Sequence, residues 1–321
     1  MRRVLILAVV IILLGAIPYV ASPYYITLCI PFFAYAISLL GLNLLFGYAG
    51  LLSFGHAMFV GIGAYTAAVL SSKLGIRSFE LAIVAAALAA LLVAIPVGLL
   101  SVRYVKIFFG MFTLAFGMLF HSFLFKFYNL TGGDGGMRVL RPTLFGQDFN
   151  TLDKTAFLSG PFYYVCLGLL VALGFVMWRL VHSSFGLHLR ALRENPRKAE
   201  YLGVRVHRFR LYAFVISAVY CSIGGVIIAI PTGLADPELA YWTHSGNLIF
   251  MMVLGGFANF FGPILGAFSF ILLQDQLMSA TQYWRFFLGA ILALIVILFP
   301  RGLMGLAADA VGRLKPRRER P

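Results

Sequence analysis

Unbroken apolar runs dominate this sequence, and they leave few folds open to it. A membrane-spanning helix needs about 20 consecutive apolar residues, whereas the strands of a membrane barrel alternate apolar and polar residues. The runs here are continuous, so we predict an all-α, polytopic membrane bundle. Only 11% of the residues are charged, against about 25% in a soluble domain, which argues against a water-soluble fold. The runs cover residues 4–17, 26–46, 51–70, 81–100, 107–125, 162–180, 211–231, 247–255, 261–273 and 286–299.

These runs predict about ten transmembrane segments, some of them broken helices. The runs 247–255 and 261–273 are each short for a full crossing, and the sequence GFANF at 256–260 separates them. The run 4–17 follows two arginines and resembles a signal peptide. Because so many runs follow it, we expect an uncleaved first helix.

Positive charge is distributed unequally between the loops. Residues 183–210 carry seven of the 25 Lys and Arg residues, and the 306–321 tail is also basic. The 129–160 loop is charge-balanced and the 232–245 loop is acidic. Because cytoplasmic loops are enriched in Lys and Arg, we expect both termini and the 183–210 loop in the cytoplasm. The predicted domains are a transmembrane domain, 1–305, with 129–160 as its external loop, and a basic cytoplasmic tail, 306–321.

Several function classes find no support in the sequence. The net charge of +14 comes mostly from these loops and the tail, which indicates contact with anionic lipid rather than nucleic acid. Cys29, Cys166 and Cys221 lie in apolar runs without metal-binding spacing, so we expect no metal site. The sequence has no phosphate-binding GxxxxGK[ST] motif and no visible catalytic set. We therefore expect no enzyme activity, no catalytic residues and no cofactor in this chain.

A Gly-rich stretch at 38–68 places polar side chains at membrane depth. Asn43, Ser53 and His56 are the polar residues that we select as candidates for lining a translocation path. The alternative is close helix packing, which recurrent glycines allow, with satisfied polar side chains. His56 has no second metal ligand at helical spacing.

A second Gly-rich stretch, 245–268, echoes the first. NLIF at 247–250 parallels NLLF at 43–46, and glycines follow both. Broken helices expose backbone at membrane depth only where it lines a cavity or is buried in protein. Asn247 is therefore the fourth candidate for the path.

The 183–210 loop can itself be helical. Leucines and alanines supply an apolar face, and Pro196 interrupts the pattern. Because a residue before proline avoids the helical region, Asn195 predicts a bend between two short helices, with the second capped at Gly203. Such a pair could dock into a groove on a soluble partner, or the loop could be a passive topology anchor.

Two of these stretches resemble the signatures of a known family. GLNLLFGYAGLLSFGHA at 41–57 and ALRENP at 191–196, followed by AEYLG at 199–203, are similar to the permeases of branched-chain amino acid ABC transporters, the LivH/LivM type. LTGGDGG at 130–136 and LYAFVISA at 211–218 are closer to the LivM type. The resemblance covers about residues 25–305. Urea permeases of the family share the two long motifs, so these do not determine the substrate.

The resemblance implies an ABC-importer permease that moves branched-chain or related amino acids into the cytoplasm. The implied partners are a homologous permease in a heterodimer, two cytoplasmic ATPase subunits that bind ATP and magnesium, and an extracytoplasmic substrate-binding protein. The implied location is the inner membrane of a bacterium or archaeon. The 183–210 loop would then be the coupling element that fits the ATPase groove. Its expected contact residues are Arg190, Arg193, Glu194, Asn195, Ala199, Glu200 and Gly203.

Two alternatives remain open on the sequence. One is a permease of the same family for urea or another small solute. The other is an ion-coupled secondary carrier, which usually needs a carboxylate deep in the membrane. The one carboxylate near an apolar run, Asp275, is expected near the outer end of its helix.

Overall fold

The computed structural model describes residues 2–104, 107–299 and 302–305, and helices make up most of them. This confirms the predicted all-α membrane class. One two-stranded sheet accompanies the helices, with β1 at Met137–Arg138 and β2 at Leu234–Ala235. In chain order the helices are α1 Arg2–Val20, α2 Pro23–Asn43, α3 Ala57–Ala68, α4 Phe79–Ser101, α5 Ile107–Lys126, α6 Tyr128–Thr131, α7 Lys154–Phe157, α8 Tyr163–Val181, α9 Ser184–Glu194, α10 Pro196–Tyr201, α11 Val206–Thr232, α12 Trp242–Gly255, α13 Gly262–Ala280 and α14 Trp284–Leu298.

Several helices continue as a wider π-helical turn. Leu44–Tyr48 extends α2, Val69–Lys73 extends α3, and Leu158–Phe162 joins α7 to α8. Six helices of the described residues are long and apolar enough to cross a membrane, namely α2, α4, α5, α7–α8, α11 and the one that begins with α14. The total of about ten segments therefore stays a prediction.

Helices α2 and α11 form the centre of the bundle. In the most apolar 18-residue segment of each helix, 78% of the residues of α2 and 83% of those of α11 are buried. The corresponding share is 28% for α4, α5 and α7–α8. Helix α11 packs against α2, α3 and α4. Helix α4 meets this core with alanines at every fourth position, Ala82, Ala86, Ala90 and Ala94, all of which are buried. The other faces of α4, α5 and α8 are apolar and exposed, as surfaces in contact with lipid would be.

Two glycines allow α3 and α11 to approach closely. A Cβ atom at Gly63 of α3 would lie 1.8 Å from the carbonyl oxygen of Ser222 on α11. A Cβ at Gly225 of α11 would lie 2.0 Å from the carbonyl oxygen of Val60 on α3. Such contacts tolerate no side chain at either position, which is the packing that small residues provide between membrane helices.

The loops at one end of the bundle, which we call the β end, are tied together. Strands β1 and β2 pair antiparallel, so the 129–160 loop joins the segment after α11. The ammonium of Lys73 donates to the carbonyls of Asn129 and Leu130 at 3.0 and 2.9 Å. The amide of Thr143 donates to the carbonyl of Arg77 at 2.8 Å. These contacts gather the acidic and charge-balanced loops at one end.

Helix α11 runs from the β end to the opposite end, which we call the α9 end. Its 27 residues correspond to about 40 Å. The α9 end contains α9, α10 and the breaks after α2 and α12, and it includes the basic 183–210 stretch. The unequal charge of the two ends agrees with the predicted topology, and which end faces the cytoplasm remains a prediction.

Some boundaries differ from the sequence-based expectation. Residues 50–56 are irregular, and α3 begins only at Ala57, because the chain turns back at Gly50, whose φ is +71°. Helix α11 begins at Val206, so the last part of the 183–210 stretch is its first turn. Helices α12 and α13 extend beyond 247–255 and 261–273, because each continues through polar residues towards the β end. The 306–321 tail lies outside the described residues.

Candidate functional site

His56 and Ser53 lie together in the buried core. His56 Nδ1 is 2.7 Å from Ser53 Oγ, and His56 Nε2 is 2.9 Å from Ser217 Oγ on α11. All three residues are at most 1% exposed. A neutral imidazole donates at one nitrogen and accepts at the other, and a hydroxyl can complement either. His56 therefore joins the irregular 50–56 segment to α11 with both of its ring nitrogens satisfied, as the packing alternative predicts.

Asn43 lies where α2 passes into its π-helical turn. It is 1% exposed, and its Oδ1 atom has no hydrogen-bond partner among the described residues. A Cβ at Gly47 would lie 2.1 Å from Asn43 Oδ1 and 2.6 Å from the carbonyl oxygen of Phe257. The rings of Phe46 and Phe257 are 4.7 Å apart. Asn43 thus lies where the Gly-rich break after α2 meets the break after α12.

The break after α12 is a tight hairpin that leads into α13. Gly256 has a φ of +94°, a region that only glycine adopts readily. A Cβ at Gly255 would lie 1.9 Å from the carbonyl oxygen of Gly262. The echo between the two Gly-rich stretches therefore corresponds to two irregular turns that touch each other at the α9 end.

The 183–210 loop forms the two short helices that its sequence predicts. Asn195 is extended, with φ −153° and ψ 98°, and its Oδ1 accepts from the amide of Lys198 at 3.1 Å, which caps α10. Gly203 has a φ of +85° and ends the second helix. Ala199 of α10 is buried, whereas Glu194 and Glu200 are exposed. Leu187, Tyr201 and Leu202 are also exposed, at 65%, 89% and 82%.

Arg190 and Arg193 are exposed on α9 and contact the end of the helix bundle. Arg193 donates a hydrogen bond to the carbonyl of Gly47, and its guanidinium lies 5.6 Å from the ring centre of Phe257. The guanidinium of Arg190 lies 5.1 Å from the ring centre of Tyr48. Through Arg190 and Arg193, helix α9 therefore contacts the break after α2, and through Arg193 it also contacts the break after α12. The sequence did not predict this contact between distant motifs.

The four candidates for the path are not brought together. Asn247 is exposed on α12 and lines an open groove near the β end, whereas Ser53, His56 and Asn43 are buried in the core or near the α9 end. Sequence reasoning missed Ser217, the partner of His56. The sequence does contain a signal for Ser217, because it is a polar residue inside the apolar run 211–231.

The sequence of residues 24–296 matches the family model described as "Branched-chain amino acid transport system / permease component". The High-affinity branched-chain amino acid transport system permease protein LivM of Escherichia coli (strain K12) is 30% identical, over 94% of this chain and 75% of its own length. The LivH permease protein of the same organism is 25% identical, over 84% and 91%. The Autoinducer 2 import system permease protein LsrC of Klebsiella pneumoniae is 30% identical, over 54% and 52%. No solved structure matches the chain. These relatives are transport components and not enzymes.

Proposed function

This chain belongs to the family of permease components of branched-chain amino acid transport systems, and we propose that it moves branched-chain or related amino acids into the cytoplasm as one permease of an ATP-driven importer. Its partners are a homologous permease, two cytoplasmic ATPase subunits and an extracytoplasmic substrate-binding protein. ATP and magnesium bind to the ATPases. The assembly resides in the inner membrane of a bacterium or archaeon.

The contact between α9 and the two Gly-rich breaks is the observation that carries this proposal. A loop that served only as a topology anchor would need no specific contact with the breaks. Here Arg193 holds the carbonyl of Gly47 and lies on Phe257. A cation near the carbonyl end of a helix is favourable because the helix dipole is negative there. Any displacement of α9 is therefore transmitted to the ends of α2 and α12.

The outward surface of α9 and α10 suits a soluble partner. Leu187, Tyr201 and Leu202 are largely exposed, and Glu194 and Glu200 of the same two helices are exposed as well. An apolar centre with a charged rim is the composition of protein interfaces. We assign Glu194, Glu200 and Gly203 to the ATPase side of the coupling element. Asn195 and Ala199 shape it, and Arg190 and Arg193 connect it to the membrane domain.

ATP-driven closure of the two ATPases would push α9 and α10, and the breaks would carry that motion into the bundle. The α9 end is cytoplasmic in this mechanism, since it is basic, and the β end receives the binding protein. From the charge of its sequence, we also propose anionic lipid as a partner of the basic tail. The autoinducer 2 permease among the relatives supports a second candidate cargo, a small polar solute other than an amino acid.

The test is uptake of radiolabelled L-leucine into vesicles that contain both permeases, the ATPases and the binding protein. The wild-type assembly should accumulate leucine only with ATP. Arg193→Gln should lower uptake about tenfold while ATP hydrolysis continues, because one charge-assisted hydrogen bond is worth about 1.5–3 kcal/mol.

The matched control is Arg197→Gln, which removes the same charge from α10 at a position that, like Arg193, is exposed but that does not contact Gly47. It should leave the link to Gly47 intact and retain more uptake than Arg193→Gln. Equal uptake by wild type and Arg193→Gln would refute the coupling role of that contact. Absence of ATP-dependent leucine uptake by a correctly assembled wild type would refute the amino acid assignment.

A further inference from the structure

An open groove near the β end lies between the 237–240 turn, α12, α13 and the start of α14. Its volume is about 510 Å³, within the range of about 300–1,000 Å³ that is typical of small-molecule sites. None of the Arg193 contacts reaches it, since those lie at the other end of α12. The groove is lined by charged, amide and apolar side chains.

Charges of both signs face this groove from separate elements. Asp236 and Glu238 belong to the turn before α12, and Arg285 belongs to the first turn of α14. Asp236 Oδ1 accepts from the amide of Glu238 at 2.8 Å, which holds the turn in shape. The Arg285 guanidinium lies 5.2 Å from the ring centre of Trp284. An amino acid zwitterion presents the complementary pair, an ammonium and a carboxylate.

His244 supplies an independent indication that a ligand belongs here. It lines the groove and is only 9% exposed. Its Nε2 atom is buried and has no hydrogen-bond partner among the described residues. An unpaired buried polar atom costs about 1–3 kcal/mol. A polar group of a bound ligand would supply the missing partner, and the exposed amide of Asn247 lies one helical turn further along α12.

The lining of the groove becomes apolar with distance from the β end. Phe250 follows Asn247 on α12, and Leu288 and Leu292 follow Arg285 on α14. Leu288 and Leu292 are 7% and 4% exposed, whereas Phe250 is 48% exposed. The polar groups therefore lie nearer the β end, and the apolar groups lie further along α12 and α14. This order suits a small molecule with a charged head and a short hydrocarbon side chain.

We propose that this groove binds the zwitterion of a small apolar L-amino acid at the entrance of the translocation path. Asp236 and Glu238 take the ammonium, Arg285 takes the carboxylate, and His244 and Asn247 orient the head. The hydrocarbon side chain lies on Phe250, Leu288 and Leu292. The choice of an amino acid rests on the proposed function, whereas the placement of the site rests on the groove itself.

The test is protection of a cysteine placed in the groove of the complete transporter in lipid nanodiscs, without ATP. Thr243 is an exposed groove residue, so Thr243→Cys gives a reactive thiol in a Cys29→Ala background. L-Leucine should slow its labelling by a maleimide. Isoamylamine, which lacks the carboxylate, and 4-methylpentanoate, which lacks the ammonium, should protect at least about tenfold less well, since each loses a charge-assisted contact.

Arg285→Gln should raise the half-protecting leucine concentration about 10- to 100-fold, and Arg285→Lys should restore part of the affinity. Arg285 is exposed, so its replacement does not threaten folding. The matched control, Arg138→Gln, removes the same charge from an exposed position of β1 at the same end, and it should leave protection unchanged.

The outcomes separate the two proposals. Transport of leucine by the wild type with no protection of Thr243→Cys would overturn the groove and leave the proposed function standing. Equal protection by leucine and isoamylamine would overturn the role of Arg285. Leucine protection in an assembly that does not transport leucine would support the groove and refute the transport assignment.

Discussion

His56 shows how one side chain can be interpreted in two ways. A histidine at membrane depth indicates either a functional path or a satisfied packing contact. The bonds of 2.7 Å to Ser53 and 2.9 Å to Ser217 give it a structural role between the irregular segment and α11. The hydroxyl partners and the aromatic rings of Phe59 and Phe214, at 5.6 and 5.4 Å, surround it closely.

We expect His56→Ala to lower the free energy of unfolding by about 2 kcal/mol or more. Hydrogen bonds between membrane helices average about 0.6 kcal/mol and reach about 1.7, and the missing ring leaves a cavity that adds to the loss. Chemical unfolding in mixed micelles measures this. His182→Ala is the matched control, because the exposed ring of His182 has one hydrogen-bond partner among the described residues, the carbonyl of Trp178 in the preceding turn. A His56→Ala protein that is as stable as wild type but lacks uptake would support the path interpretation.

Between elements, the decisive contacts are made by backbone atoms. Helices α3 and α11 touch through Gly63 and Gly225 because no side chain intervenes. Helices α12 and α13 touch in the same way through Gly255, Gly262 and Gly266. The two pairs leave little room for adjustment, so we expect each pair of helices to move as one rigid body.

Gly63→Ala should prevent most of the protein from folding. The new Cβ would lie 1.8 Å from the carbonyl oxygen of Ser222, and the backbone of α11 cannot move away without losing its packing. Gly168→Ala on α8 is the matched control, since a Cβ there meets nothing within 4 Å. The folded fraction after detergent extraction, measured by size-exclusion chromatography, should fall several-fold for Gly63→Ala alone. Similar yields from both variants would contradict the close contact.

Across the whole molecule, α12 connects the two proposed working parts. It begins beside the groove, at His244 and Asn247, and ends at Gly255 beside the contacts of Arg193 with Gly47 and Phe257. Its 14 residues correspond to about 21 Å. A displacement of α9 can therefore change the groove through one short, rigid helix.

The charge difference between the two ends predicts the orientation of the molecule. Because basic loops stay in the cytoplasm, Leu187→Cys on exposed α9, expressed without the ATPase subunits that would cover it, should react with a membrane-impermeant maleimide only after cells are permeabilised. Asp148→Cys, in the exposed 129–160 loop, should react in intact cells. The unmodified protein, with its three native cysteines, sets the background. Labelling of Leu187→Cys in intact cells would invert the proposed topology.

Properties that depend on a few neighbouring residues could be predicted from the sequence. Continuous apolar runs predicted the membrane class, because hydrophobic length decides whether a helix can span a bilayer. Asn195 and Pro196 predicted the bend between α9 and α10 for a local steric reason. The motifs at 41–57 and 191–203 indicated the family before their positions in space were known.

Which distant side chains meet was decided only by tertiary packing. Ser217 lies 161 residues from His56, and Arg193 lies 146 residues from Gly47, so no local pattern announces either contact. Arg193 contacts Gly47 and Phe257 because of the way α9 packs on the bundle. The sequence alone indicated only that this residue could contact a partner subunit. The same holds for Arg285 and Asp236, which share a groove because α14 packs beside α12. Hydrophobic burial is not directional, so the apolar runs specify that the helices pack, whereas shape, glycine contacts and buried hydrogen bonds select which faces touch.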